Sequence, residues 1–264
     1  MFIPVLVDKL ILASNYGWLV LVDRYKGDCC LWNPVSKDII ELPFLDKCYL
    51  YRKCVLSKPP TEPDCHILFN SLSPNLQSFC KIGDVEYVHS SPKEDRLVAI
   101  ASFQGKIYGV MHPGYKFVTI EFVERTIEFR PMLNNMKQPL TAPFIKRDWV
   151  LRHDNQLIGS GGELLLVIKG YVHNNYYIYD GSEYRVFRVD INRMECIELD
   201  DIGDHAILVN CYGNGYYCSS SGTNLIKPNS IYNTSYFGAH LYVYDLDDKS
   251  TVTWLPPHVA NFNL

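Results

Sequence analysis

The chain has no clustered basic charge. Its densest basic stretch is IKRD at 145–148, and 25 Lys and Arg face 29 Asp and Glu for a formal net charge of −4. Phosphate binding needs Lys and Arg gathered on one surface, so nucleic acid is not expected as a partner. No apolar run is long enough for a membrane-crossing helix. The apolar start, MFIPVLV, is interrupted by Asp8 and Lys9 and has no basic residues ahead of it, unlike a secretory signal. No membrane partner is expected, and the sequon at Asn233 is read as unused. The nine cysteines contain no Cys-x-x-Cys and no spacing with a histidine that suits zinc. They read as reduced core thiols of a cytoplasmic or nuclear protein.

Catalytic signatures are missing too. There is no H-E-x-x-H, G-x-S-x-G or phosphate-binding loop. GNGYYC at 213–218 opens like a dinucleotide fingerprint but lacks its third glycine. His66, beside Cys65, and His205, in GDHAILV, read as strand-edge or core residues. Asp204 and His205 have no second carboxylate at a neighbouring spacing, so they make no acid–base or metal set. The expectation is a protein that is not an enzyme, with no catalytic residue, cofactor or metal site, and with partner-binding residues unassigned.

What the sequence does have is a recurring shape. ILASNYGWLVLVD (11–23), VAIASFQGKIYGV (98–110), QLIGSGGELLLVI (156–168) and AILVNCYGNGYY (206–217) share an apolar pair, a Ser or Asn, a nearby Gly, then an apolar run. Each reads as a β-hairpin. From Ser14 the steps to Ser102, Ser160 and Asn210 are 88, 58 and 50 residues. The long first step hides one more copy, assigned to CHILFNSLSPN at 65–75. Gly17, Gly105 and Gly213 are expected in tight turns at positive φ.

A second kind of hairpin follows each first: CCLWNPVSKDIIELP (29–43), KFVTIEFVERTIEFRP (116–131), YRVFRVDINRMECIEL (184–199) and LYVYDLDDKSTVTWLP (241–256). Their turns hold Asn, Asp and Ser, which hydrogen-bond their own backbone. Two hairpins in series make a four-stranded antiparallel meander. Runs such as ELLLVI barely alternate, as in sheets buried on both faces, and Trp32 and Trp254 are expected inside. Short-strand repeats at this period suggest propeller blades; a sandwich of about 100 residues fits less well.

The chain is therefore read as all-β, a β-propeller of about five to six four-stranded antiparallel blades. It forms a single domain over 1–264, with modules at about 11–43, 65–90, 98–131, 156–199 and 206–256. The Pro-containing stretches 44–64 and 132–150 read as connections, and 218–230 as a long inter-strand loop. FIPVLV (2–7) is expected to pair with the last module and cover its open edge.

GWLVLVD followed by LWNPVSKDIIELP resembles the opening of the plant F-box-associated β-propeller family. VLSKPP (55–60), FCKIGD (79–84), GGELLLV, YRVFRVD, DIGDHAILV, LIKPNSIYNT and LYVYDL follow in that family's order, from about residue 10 to 256. The resemblance implies a propeller that recruits a protein partner to a cullin ubiquitin ligase through a separate F-box that docks a Skp1-type adaptor. Only ten residues precede the first hairpin, too few for an F-box, so adaptor binding is not expected. Two alternatives stay open: an enzyme or small-ligand binder that uses a propeller's central channel, and a truncated paralogue without function.

Overall fold

The computed structural model describes residues 4–6, 8–23, 25–46, 51–71, 75–91, 95–143, 154–171, 182–210, 215–221, 226–234 and 241–254. The backbone is almost wholly extended. It forms two compact units, Met1–Thr141 and Ala142–Leu264.

The first unit holds three four-stranded antiparallel sheets in simple meander order. The first comprises β1 (Lys9–Asn15), β2 (Trp18–Asp23), β3 (Cys29–Trp32) and β4 (Ile39–Leu42). The second comprises β5 (Tyr51–Leu56), β6 (His66–Ser71), β7 (Leu76–Lys81) and β8 (Val88–Ser90). The third comprises β9 (Arg96–Phe103), β10 (Lys106–His112), β11 (Lys116–Val123) and β12 (Thr126–Pro131). The second unit holds a fourth meander, β13 (Asp154–Ser160), β14 (Glu163–Tyr171), β15 (Ser182–Asp190) and β16 (Glu195–Leu199). It also holds a five-stranded sheet built from β17 (His205–Val209), β18 (Gly215–Ser219), β19 (Ser230–Thr234), β20 (Leu241–Asp245) and β21 (Thr251–Trp254).

The recurring first hairpin has one cause. Asn15 pairs with Trp18, Phe103 with Lys106 and Ser160 with Glu163, which leaves two-residue turns at Tyr16-Gly17, Gln104-Gly105 and Gly161-Gly162. Both residues of each turn have positive φ, for example 53° and 78° at Tyr16-Gly17 and 47° and 73° at Gln104-Gly105. That geometry matches the right-handed twist of the flanking strands, and glycine adopts it at least cost. Gly213 lies outside the described residues. The Ser or Asn before the turn also has a job. Asn15 Oδ1 accepts from the Leu56 amide at 3.2 Å, and Ser160 Oγ donates to the Tyr217 carbonyl at 3.0 Å. A short polar side chain at the strand end thus ties one sheet to the next.

The second hairpin repeats as well. Asn33 Oδ1 accepts from the Val35 and Ser36 amides, and Asp190 Oδ1 from those of Asn192 and Arg193; Asp245 Oδ1 accepts from the Asp247 amide. Four residues after each lies a left-handed residue, Lys37, Met194 and Lys249.

The sheets are buried on both faces, and alternate residues of one strand serve different cores. From the second sheet, Cys54, Leu56, Ile67, Phe69 and Cys80 pack with Leu12, Trp18, Val20 and Leu31 of the first. Val55, Leu68 and Phe79 pack with Leu97, Ile100, Ile107 and Val118 of the third. In the second unit Ile158, Leu165, Val167 and Val186 meet Ile207, Ile231 and Tyr244. Trp32 is 5% exposed, as expected; the side chain of Trp254 lies outside the described residues.

Five expectations are corrected. The second sheet begins at Tyr51, inside the stretch read as a connection. The charge of Arg52 and Lys53 masked the strand, yet Lys53 is 4% exposed and its Nζ donates to the Val98 carbonyl at 2.7 Å. The hidden copy is accordingly β5, followed by Ser57, which puts the successive serines 14, 57 and 102 only 43 and 45 residues apart; CHILFNSLSPN is the next hairpin. The stretch after β12 is not a plain connection, because 132–141 folds back on β11, with Leu140 accepting from the Phe117 amide at 2.8 Å.

The fifth sheet is not a four-stranded meander. Its order is β18-β17-β19-β20-β21, and β17 and β19 run parallel. The residues that follow β18 and precede β19 bond to the start of β17. Ser220 N donates to the Asp204 carbonyl, and Asn229 N to those of Gly203 and His205.

Of the N-terminal segment 2–7, finally, residues 4–6 are described, and they are not a strand. Pro4–Leu6 form a 3-10 turn, and Val5 and Leu6 pack on Leu21, Cys30 and Trp32 of the first sheet. Pro4 has no amide to give a ladder, and its fixed φ suits a turn.

Candidate functional site

A cleft of about 400 Å³ opens in the first unit, at the rim of the second and third sheets. His66, Phe79, Cys80, Val85, Val88 and Arg125 line it, together with Lys81, Asp84, Glu86 and Glu124. Three pieces of chain build it. His66 begins β6. Residues 79–88 supply the end of β7, the turn after it and the start of β8. Glu124 and Arg125 are the β11–β12 turn.

Local sequence explains each piece. After Lys81 the chain turns at Gly83, whose φ is 98°. Asp84 Oδ2 accepts from the Lys81 amide at 2.9 Å and pins that turn. β8 is only three residues long, so the outer edge of the second sheet recedes and leaves the hollow. On the opposite side, Val123 pairs with Thr126 and Glu124 takes φ 52°, which pushes Arg125 outward. Arg125 Nη2 then meets Glu86 Oε1 at 2.6 Å, so an ion pair links the two turns.

The floor is apolar and the rim is charged. Phe79 is buried against Phe122 with ring centroids 5.3 Å apart, and Phe122 stacks flat on His66 at 4.4 Å. His66 Nδ1 lies 2.9 Å from the Asp64 carbonyl. Nδ1 therefore carries the proton of the neutral ring and donates it there. Burial holds the imidazole below its ordinary range. Burial also pushes the Cys80 thiol up to about 12, so it stays protonated and is a poor nucleophile. Lys81 Nζ lies 2.5 Å from Asp64 Oδ1. At the rim, Val85 is 92% exposed. An apolar floor with a polar rim is the anatomy of a contact surface.

The residues weighed from sequence fall in different places. His66 sits at a strand edge, as expected, and also lines the cleft. Asp204 and His205 do meet, with Nδ1 2.9 Å from Oδ1, and His205 stacks on Tyr217 at 4.5 Å. Among the described residues no group of three His, Cys, Asp or Glu side chains is placed to hold a metal. Of the stretch 218–230, read as a loop, Cys218 and Ser219 end β18, Ser230 begins β19, Ser220 and Asn229 bond the start of β17, and residues 222–225 lie outside the described residues. Sequence reading missed Glu86, Glu124 and Arg125. The only signal was the pair of turns GDVE and VERT, and nothing in the spacing says that they meet.

The model of one family, described as the KIB1-4 beta-propeller, matches residues 1–254. The chain belongs to that family. F-box protein At4g00893 of Arabidopsis thaliana is 36% identical over 67 residues, 25% of this chain, and the chain spans 16% of the length of that curated relative. Among solved structures, the Cps50 (Swd1) beta-propeller domain of Myceliophteria thermophila aligns over 91% of this chain and 71% of its own, at 12% identity and a TM-score of 0.38. Virginiamycin B lyase from Staphylococcus aureus aligns over 94% and 83%, at 12% identity and a TM-score of 0.40. Likenesses this distant assign no activity to the chain. No helix among the described residues is long and apolar enough to cross a membrane.

Proposed function

We propose that this chain is a non-enzymatic protein-interaction module, a single β-propeller whose five sheets are the blades, resembling the substrate-recruiting propeller of plant F-box proteins. The observation that carries the reading is the family match over residues 1–254, joined to a curated relative named as an F-box protein. The cleft supports it: an apolar floor, a charged rim and a protruding Val85 suit a protein surface. The cytoplasm or nucleus fits the thiols of Cys29, Cys30, Cys54, Cys65, Cys80, Cys196 and Cys218, none of which is in a disulfide.

Affinity purification of the chain followed by mass spectrometry tests the reading. The expected result is a partner protein retained in stoichiometric amount, with no Skp1-type adaptor among the retained proteins. Turnover of a small molecule by the purified chain, with no retained protein, overturns it.

A further inference from the structure

We propose that the cleft between the turns 82–87 and 124–125 docks an extended, lysine- or arginine-bearing segment of the partner protein. The inference rests on the interaction reading above and says what chemistry that partner presents.

Charge balance in the cleft leads to it. Two cations line it, Lys81 and Arg125, and each is already paired: Lys81 with Asp64 at 2.5 Å and Arg125 with Glu86 at 2.6 Å. The carboxylates of Asp84 and Glu124, also in the lining, form no ion pair among the described residues. His66 is kept neutral by burial. The cleft and Asp64 together set four carboxylates against two cations, a net charge of −2, with Asp84 in the field of both Lys81 and Arg125.

A lysine or arginine answers both the charge and the apolar lining at once. Its aliphatic stem covers Val85 and Val88, and its head reaches the carboxylates in water. An acidic segment would meet like charge, which costs affinity and slows encounter. The exposed Val85 and the partly exposed Val123 flank the opening and give apolar neighbours of the basic residue a surface to cover.

The test uses the full chain and fluorescein-labelled Gly-Lys-Gly-Arg-Gly-Lys-Gly, with Gly-Glu-Gly-Glu-Gly-Glu-Gly as its counterpart, read by fluorescence anisotropy. The basic peptide should bind and weaken as salt rises; the acidic one should not bind. The double variant Asp84→Asn with Glu124→Gln should weaken binding about fivefold, the scale of two rim charges. A control with the same change in net charge, Glu195→Gln with Asp200→Asn in the second unit, should leave it within about twofold. Equal loss in the control means attraction by bulk charge alone and overturns the assignment. So does binding of the acidic peptide, or binding of neither.

The same variants used as bait separate the two claims. Partners kept by the wild type and lost by the cleft variant support both. Partners kept equally by both leave the interaction reading standing and remove the cleft. No partner on the wild type removes the interaction reading itself.

Discussion

The hydroxyl of Tyr16 lies 2.5 Å from Ser102 Oγ, although 86 residues separate them, and it also donates to the Ser57 carbonyl at 3.3 Å. Tyr16 stands in the β1–β2 turn, Ser57 follows β5 and Ser102 is near the end of β9. One phenol thus joins all three sheets of the first unit at the same end. Replacing Tyr16 by Phe keeps the ring and deletes the link. The expected cost is about 1 kcal/mol, the net worth of an ordinary hydrogen bond. Urea unfolding should show a lower midpoint with an unchanged slope. An unchanged midpoint would mean that water takes over the hydroxyl's role.

Gly105 tests the turn geometry. A Cβ there meets no atom within 4 Å, so its φ of 73° is the whole constraint. Gly105→Ala should cost about 1 kcal/mol, and Gly105→Asn clearly less, because asparagine tolerates the left-handed region. Equal losses for the two would show that steric room, not φ, selects glycine.

The N-terminal turn has an optical reporter. Val5 and Leu6 cover Trp32. A chain lacking residues 1–8 should show red-shifted tryptophan emission and a lower thermal midpoint. Emission and midpoint both equal to those of the intact chain would mean that the turn does not shield the indole.

His66 should titrate below its ordinary value of 6.5, since desolvation is the largest influence on it. As pH falls through 6.5, the unfolded chain takes up a proton before the folded chain does. The histidine therefore adds stability at neutral pH that is lost on acidification. Ring-proton NMR should place its midpoint below those of exposed histidines. A midpoint at or above 6.5 would mean that water reaches the ring freely.

Asp190 offers a second acid-sensitive point. The Arg193 amide, with help from that of Asn192, holds its carboxyl below the usual 3.8 against weaker desolvation. Its contribution is present above pH 4 and fades as pH drops through the folded value. Asp190→Asn keeps an acceptor oxygen. It should leave the urea midpoint at pH 7 nearly unchanged and flatten its fall between pH 4 and 3. A slope as steep as that of the natural chain would show that the carboxylate takes no part.

Much of the fold was legible because its signals are local. Gly17 and Gly105, the Asx turns at Asn33 and Asp190, and the unbroken apolar run of β14 each speak within a few residues. What could not be read depends on neighbours distant in sequence. Lys53 looks like a surface residue until the Val98 carbonyl is placed beside it. Ser57 looks like part of a Pro-rich connection until Tyr16 reaches it. The cleft was invisible for the same reason: His66, Glu86 and Arg125 belong to three separate pieces of chain, and only the lateral packing of two sheets brings them together.

The strand order of the fifth sheet has a consequence for synthesis. β17 is flanked by β18 and β19, and both follow it in the chain. When His205–Val209 leaves the ribosome, neither of its ladder partners exists yet. It gains one when Gly215–Ser219 emerges and the second only after Thr234. Until then one edge of an apolar strand, with Ala206 and Ile207 destined for full burial, stands open to other chains. The second unit is thus most exposed to mispairing in the interval between residues 209 and 234, and a pause in translation there would lengthen it.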